Sequence, residues 1–218
     1  MLVKPFKIKL AEKYFPPQAD QPMAGGELFI LDVGAGSHSA TITKQWLPKC
    51  HYTGIDIANY NNDASDFKAM DEFIEMDLTK LEFHKIPDSR YDMIVMSHVI
   101  EHLHNGDNVI EGLISKLKKG GIIYLEFPSE RSVNFPSKRE TLNFYDDPTH
   151  CRLFSVKEVS DLLVKNHLHI LSAGTRRQWI NILLMPFKIV FQSLTKGYVR
   201  GGVYWDYYGF ADYVCAKR

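Results

Sequence analysis

Three aspartates and two glycines are the residues best spaced to do chemistry: Asp32, Gly34, Gly36, Asp56 and Asp77. Asp32 closes an apolar run, Leu28 to Leu31, and Gly34-Ala35-Gly36 follows after one more residue. A glycine turn directly after a buried strand lets a ligand come close to bare backbone. About 20 residues further on, Asp56 ends a second apolar run, where a carboxylate can accept hydrogen bonds from both hydroxyls of a ribose. Asp77 ends a third, short run and is placed to accept from the exocyclic amine of an adenine. Asp32 would repel a pyrophosphate, and no Lys or Arg lies in the glycine turn. The set suits a ligand with an amine, a ribose and an adenine but no phosphate.

Two other site chemistries compete for these motifs. A dinucleotide-binding turn would read G-x-G-x-x-G, but Ser39 stands at its third glycine, which counts against an NAD-dependent oxidoreductase. His98-Val-Ile-Glu101-His102 spells the inverted zinc-peptidase motif H-x-x-E-H. Zinc would need both histidines on one helix face and a third ligand, whereas this motif directly follows an apolar strand. No other histidine stands at an obvious ligand spacing, so no metal is expected.

The elements that must position these residues alternate between strand and helix, which implies crossover connections and a mostly parallel sheet. Strands are expected at Leu28–Val33, Tyr52–Ile57, Phe73–Met76, Tyr91–Ser97, Ile122–Phe127, Leu168–Ser172 and Ala211–Ala216. A helix near Ala40–Leu47 should end before Pro48. Another, Asp107–Lys118, carries Val109, Ile110, Leu113, Ile114 and Leu117 at helical spacing, with Gly120-Gly121 as its left-handed stop. Ser155-Val-Lys-Glu158 is a capping box that opens a further helix. The reading is an α/β, Rossmann-like, seven-stranded sheet with an antiparallel C-terminal strand and helices on both faces. Residues 1–26 form an N-terminal segment that could cover the site, and residues 27–218 form the domain. Its insertions, 129–154 and 174–210, both leave from carboxyl ends of strands and should lie on the same edge as Asp32 and Asp56, where they could cover a second pocket.

ILDVGAG, the acid of TGIDI, EMDL, YDMIVMSHVIEHL and LKKGGIIYLEFPS together resemble the successive motifs of class I S-adenosylmethionine-dependent methyltransferases. The resemblance implies that fold and S-adenosylmethionine as cofactor. It places Asp32, Gly34 and Gly36 against the methionine moiety and Asp56 on the ribose, with Ile57 on the adenine. Asp77 and Leu78 would flank the adenine, and Ser97 and His98 would lie beside the cofactor. His38 stands where the family often has a third glycine, and Asp92 matches a family position at the far edge, read as structural.

Methyl transfer to a hydroxyl needs a base. His150, within Tyr145-Asp-Asp-Pro-Thr-His-Cys-Arg152, is the first candidate catalytic residue, with Asp146 or Asp147 to orient its ring and Arg152 to orient an anionic neighbour. Glu126, ending the fifth strand, is the second, and His98 and His102 come third. DPTHCRLFS and the late WDYYGFADYVCAKR resemble, more loosely, a subset of these enzymes found with surface-polysaccharide biosynthesis, which implies a small-molecule or glycan acceptor. The aromatic cluster Tyr204, Trp205, Tyr207, Tyr208 and Phe210 fits sugar rings, although at least half of those rings should be core. A non-catalytic module that binds an adenosyl ligand would keep the same acids without an aligned acceptor pocket.

Trp179–Leu194 is apolar on nearly every side and flanked by Arg176-Arg177 and Lys196. It is expected to be buried in the domain or in a homodimer contact, with a peripheral membrane surface as the alternative. Lys plus Arg and Asp plus Glu are balanced at 26 each over 218 residues, so no bulk charge attracts nucleic acid. Three widely spaced cysteines and a charged N-terminus without an apolar run suggest reduced thiols and a cytoplasmic protein.

Overall fold

The computed structural model describes residues 3–16 and 27–218. Part of the expected N-terminal cover, 17–26, lies outside the described residues. Seven strands make one sheet: β1 (Phe29–Val33), β2 (His51–Asp56), β3 (Glu72–Glu75), β4 (Tyr91–Ser97), β5 (Leu117–Pro128), β6 (His169–Thr175) and β7 (Ala211–Lys217). Their order is β3-β2-β1-β4-β5-β7-β6, with β7 antiparallel to both neighbours and the other pairs parallel. The carboxyl ends of β1 to β6 therefore share one edge. The chain reverses between β1 and β4, and that switch point is where open α/β sheets bind ligands.

One face is covered by α1 (Phe6–Tyr14) and α2 (Ser39–Trp46), through Ile8, Leu10, Ala11 and Ala40 against Ile30, Met93, Val95 and Tyr124. α1 is thus a core helix of that face, and only its first turn reaches the carboxyl edge. On the other face, α4 (Gly106–Ile114) and α5 (Val156–Lys165) bury Val109, Ile110, Leu113, Val159 and Leu163. α5 opens on the expected cap, with Ser155 Oγ accepting from Glu158 N–H.

One helix is added to the expected set, and two expectations are corrected. The segment 59–71 contains α3 (Ala64–Ala69), opened by a capping box in which Asp63 and Asp66 exchange hydrogen bonds. The usual signature has Glu or Gln at the third position, and here a buried Asp66 does that work. The fourth helix stops at Ile114, and Leu117 already pairs with Tyr91 in β5. Lys118 to Gly121 form an irregularity in that strand, so the left-handed Gly120 (φ +85°) serves a bulge rather than a helix stop.

The second correction concerns the longest helix, α6 (Trp179–Lys196), which buries none of its residues in the domain. Leu183, Phe187, Phe191 and Leu194 are all more than half exposed. No helix among the described residues is long and apolar enough to cross a membrane.

The cysteines report on this packing. Burial pushes Cys50 up to about 11, partly offset by Lys44, and pushes Cys215 up to about 12, while Cys151 is exposed. At pH 8 a disulfide reagent should titrate one thiol of the native chain, lost in Cys151→Ser, and three after denaturation. Rapid modification of Cys50 or Cys215 in the native chain would contradict the two-faced core.

Candidate active site

The strand ends turn the sequence pattern into one cleft of about 830 Å³. Asp32, Gly34, Gly36, Asp56, Ile57, Asp77, Leu78, Ser97 and His98 all border it. So do Thr141, Asp147, Thr149 and His150 from the first insertion, and Trp205 and Phe210 from the second. The volume suits a small organic ligand or cofactor. The aspartates at the ends of β1, β2 and β3 therefore face one shared space.

The glycine turn works differently from its sequence reading. A Cβ on Gly34, where φ is +75°, would lie 2.3 Å from Val99 Cγ2, and one on Gly36 would lie 2.7 Å from the Tyr60 carbonyl oxygen. The bare backbone thus lets the turn pass its own neighbours while it borders the cleft. His38 adopts a left-handed φ of 62°, the conformation a third glycine would supply. It is held by Asp66 at 2.6 Å from Nδ1 and by Asn62 Oδ1, which accepts from its N–H at 3.2 Å.

One oxygen of Asp32 is fully engaged, while Oδ1 takes no hydrogen bond from the described residues. Its Oδ2 accepts from Lys7 Nζ at 2.8 Å, Ser39 Oγ at 2.5 Å and Tyr52 Oη at 2.8 Å. Lys7, on the first turn of α1, also borders the cleft, so the β1 tip presents an ion pair rather than a lone anion. Nothing in the sequence pairs residues 25 apart on unrelated elements, and Lys7 was missed. Asp56 is more open: its Oδ1 accepts from the N–H of Ile57 at 2.7 Å. Burial raises its pKa against the two backbone bonds that lower it. Ile57 projects from the rim, 63% exposed. Asp77 Oδ1 caps the turn that follows by accepting from Thr79 N–H and Oγ1–H, and these bonds hold its pKa down. Asp92 lies at the opposite edge and accepts from Phe29 N–H and Lys118 Nζ, a structural role as expected.

His98 directly follows β4 with φ at +55°, an uncommon conformation for a non-glycine residue. Its N–H continues the ladder to Glu126 O at 2.8 Å. Its ring lies between two carboxylates, 3.1 Å from Glu101 Oε1 and 3.1 Å from Glu126 Oε1. Burial alone would lower the imidazole pKa, but the two carboxylates raise it to about 9. Glu126 does not border the cleft. It lies behind His98, bonded to Tyr124 Oη and ion-paired to Arg176 at 3.1 Å. Burial alone would raise its pKa, but Arg176 and His98 bring it down to about 2. With Oε1 on His98 and Oε2 on Tyr124 and Arg176, outside the cleft, Glu126 has no oxygen turned to an acceptor, so the second candidate base is corrected to a partner of His98.

His150 does border the cleft, but its surroundings differ from those expected. Its Nδ1 donates to the Phe144 carbonyl at 2.6 Å, which leaves Nε2 free. Asp146 instead accepts from the N–H groups of Lys138, Leu142 and Asn143 and shapes its own loop. Arg152 is taken by Asp107 and Glu158. Of the late aromatic cluster, Trp205 and Phe210 border the cleft and stack on each other at 4.7 Å, while Tyr204 and Tyr208 pack within the insertion.

A seven-stranded sheet of this order, with a glycine turn after β1 and an acid ending β2, defines a class of proteins by fold and site. The sequence model of a family described as "Methyltransferase domain" matches residues 10–173. The chain belongs to that family, and its fold is that of class I S-adenosylmethionine-dependent methyltransferases.

An S-adenosylmethionine-dependent methyltransferase from Archaeoglobus fulgidus is similar at a TM-score of 0.61 and 17% identity, over 97% of this chain and 91% of that one. Phosphoethanolamine N-methyltransferase 2 of Haemonchus contortus, in complex with S-adenosyl-L-methionine, gives 0.65 and 13% over 97% of this chain and 52% of its own. An uncharacterised protein of Methanocaldococcus jannaschii is 27% identical over 142 residues, 62% of this chain. The match spans 38% of the length of that curated relative.

Two substitutions test the framework. Gly34→Ala should cost at least about 1–2 kcal/mol for the left-handed backbone, before any clash with Val99. An unchanged melting temperature would mean the turn is shaped otherwise. Arg176→Met would leave Glu126 and Asp206 without their shared partner and should cost roughly 3–5 kcal/mol in denaturant unfolding.

Proposed function

We propose that the cleft holds S-adenosylmethionine and that the chain transfers a methyl group to a hydroxyl oxygen of a small molecule or glycan. The observation that carries this reading is the shared edge of Asp32, Asp56 and Asp77, with Lys7 beside the first. Asp56 keeps Oδ2 for a ribose, and exposed Ile57 offers an apolar surface to a purine. Leu78 and Asp77 bound the same part of the cleft from the β3 side. The Lys7–Asp32 ion pair complements a zwitterionic amino-acid end, with the ammonium toward a carboxylate and the carboxylate toward an amine.

When bound, S-adenosylmethionine supplies a methyl group on a sulfonium, ready for direct displacement. The protein's part is to align an acceptor with that carbon and to keep water out. Ser97 and His98 stand between the two halves of the cleft. Beyond them Trp205, Phe210, His102 and His150 border the space left for an acceptor. Stacked rings with polar groups around them suit the faces and hydroxyls of a sugar. His150, with Nε2 unprotonated, is placed to take the proton of an acceptor hydroxyl. The loose likeness of DPTHCRLFS to enzymes found with surface-polysaccharide biosynthesis supports the same acceptor class.

Isothermal titration with S-adenosylhomocysteine tests the cofactor half. Asp56→Ala should weaken binding at least about 10-fold, because a hydrogen bond to a charged group is worth about 1.5–3 kcal/mol. NAD should not bind. Equal affinity in the variant, or NAD binding at the same site, would overturn the assignment. Incubation with hydroxylated acceptors and a methyl-labelled donor tests the other half. Silence across such a panel, with the product tightly bound, would select the adenosyl-binding module instead.

A further inference from the structure

The H-x-x-E-H motif is only partly absorbed by the site. His98 and His102 do not share a helix face: His98 directly follows β4, and Ile100–His102 is a single 3-10 turn. That geometry rules out the inverted zinc-peptidase arrangement. The turn instead aims Glu101 and His102 into the cleft, where the insertion after β5 brings His150 to meet them. One ligand-type atom from each of the three lies within 4.8 Å of the others. The two imidazole rings are 4.8 Å apart by centroid.

Three further observations point to a ligand there. Glu101 is 1% exposed, and its Oε2 has no hydrogen-bond partner, although Oε1 is held by His98. A buried carboxylate oxygen without a donor is costly unless a cation or donor meets it. The two histidines are also oriented from behind. A carbonyl can only accept, so His150 Nδ1 donates to Phe144 O and its lone pair is on Nε2. Thr149 Oγ1 donates its one proton to Asp147 at 2.6 Å, so it accepts at 2.8 Å from His102 Nδ1, which frees that Nε2 as well. Such outer bonds fix the tautomer and ring direction of metal-binding histidines.

We propose that Glu101, His102 and His150 bind one divalent first-row transition-metal ion in the acceptor half of the cleft. Two imidazoles and one carboxylate suit zinc, cobalt, iron or manganese better than magnesium or calcium, which prefer oxygen. Ligand atoms around such an ion lie about 3.4 Å apart, so side-chain shifts of about 1 Å would complete the set. The open coordination positions face the cleft and would take an oxygen of the acceptor, orienting a hydroxyl beside the cofactor. That use rests on the methyl-transfer reading; the ion site itself does not. With the ion bound, the His150 lone pair is a ligand, and the residue positions the acceptor rather than taking its proton. A second cluster, His38, Asp63 and Asp66, is satisfied within the cap of α3 and makes a control.

The test is titration of chelator-treated full-length protein with Co²⁺, read by visible absorption and by calorimetry. One equivalent should bind and be displaced by Zn²⁺ but not by excess Mg²⁺. His102→Ala and His150→Ala should each weaken binding at least about 10-fold. Glu101→Gln, which keeps the side chain's shape and its contact with His98, should do the same, and His38→Ala should not. Circular dichroism of the metal-free variants should match the parent, so that a lost ligand is separated from a lost fold. Absence of a saturable site, or binding that follows His38 rather than His102 and His150, would overturn the proposal. S-adenosylhomocysteine titrated into the metal-free parent separates this outcome from failure of the methyltransferase reading.

Discussion

The cleft depends on one buried guanidinium. Arg176, just past the end of β6, is ion-paired to Glu126 at the end of β5 and to Asp206 in the second insertion, at 3.1 and 3.2 Å. Asp206 also accepts from Gln178 N–H and Asn181 Nδ2, so the same carboxylate anchors the start of α6. Glu126 in turn holds the ring of His98. A chain of opposite charges thus runs from the floor of the cleft into the segment that supplies Trp205 and Phe210. Each charge in it is tolerable only because the next one is present.

The cofactor half is built on other principles. There the parallel register of β1, β2 and β3 brings the three acids to one edge, and the turn after β1 needs glycine to clear Val99 and Tyr60. The Lys7–Asp32 pair couples this edge to α1, which is otherwise a core helix. One half of the cleft is therefore held by backbone geometry and the other by side-chain charge. The two meet at Ser97 and His98, where β4 ends between them.

The side of the cleft bordered by His102 and His150 also shows why a motif can mislead when read along the chain. H-x-x-E-H implies a helix, yet the backbone turns at His98 with φ at +55° and spends Glu101 and His102 on a 3-10 turn. His150, 48 positions beyond His102, closes the cluster because Cys151 and Arg152 donate their N–H groups to the Glu101 carbonyl. Two backbone hydrogen bonds pin the insertion to that turn. The role of Glu126 changes for a related reason: Arg176 neutralises it from an element whose position no local pattern indicates.

Local chemistry along the chain was enough for the strands, the α/β class, the antiparallel C-terminus and the edge that carries Asp32, Asp56 and Asp77. Apolar runs ending in acid or glycine are short-range signals, and a parallel sheet aligns all its strand ends by topology. It did not determine what each carboxylate touches. Lys7 on Asp32, Arg176 on Glu126 and the meeting of His150 with Glu101 and His102 join residues about 25 to 50 positions apart. Those contacts arise only when helices and insertions pack on the finished sheet. Burial strengthens such charge interactions, and burial is a property of the folded chain.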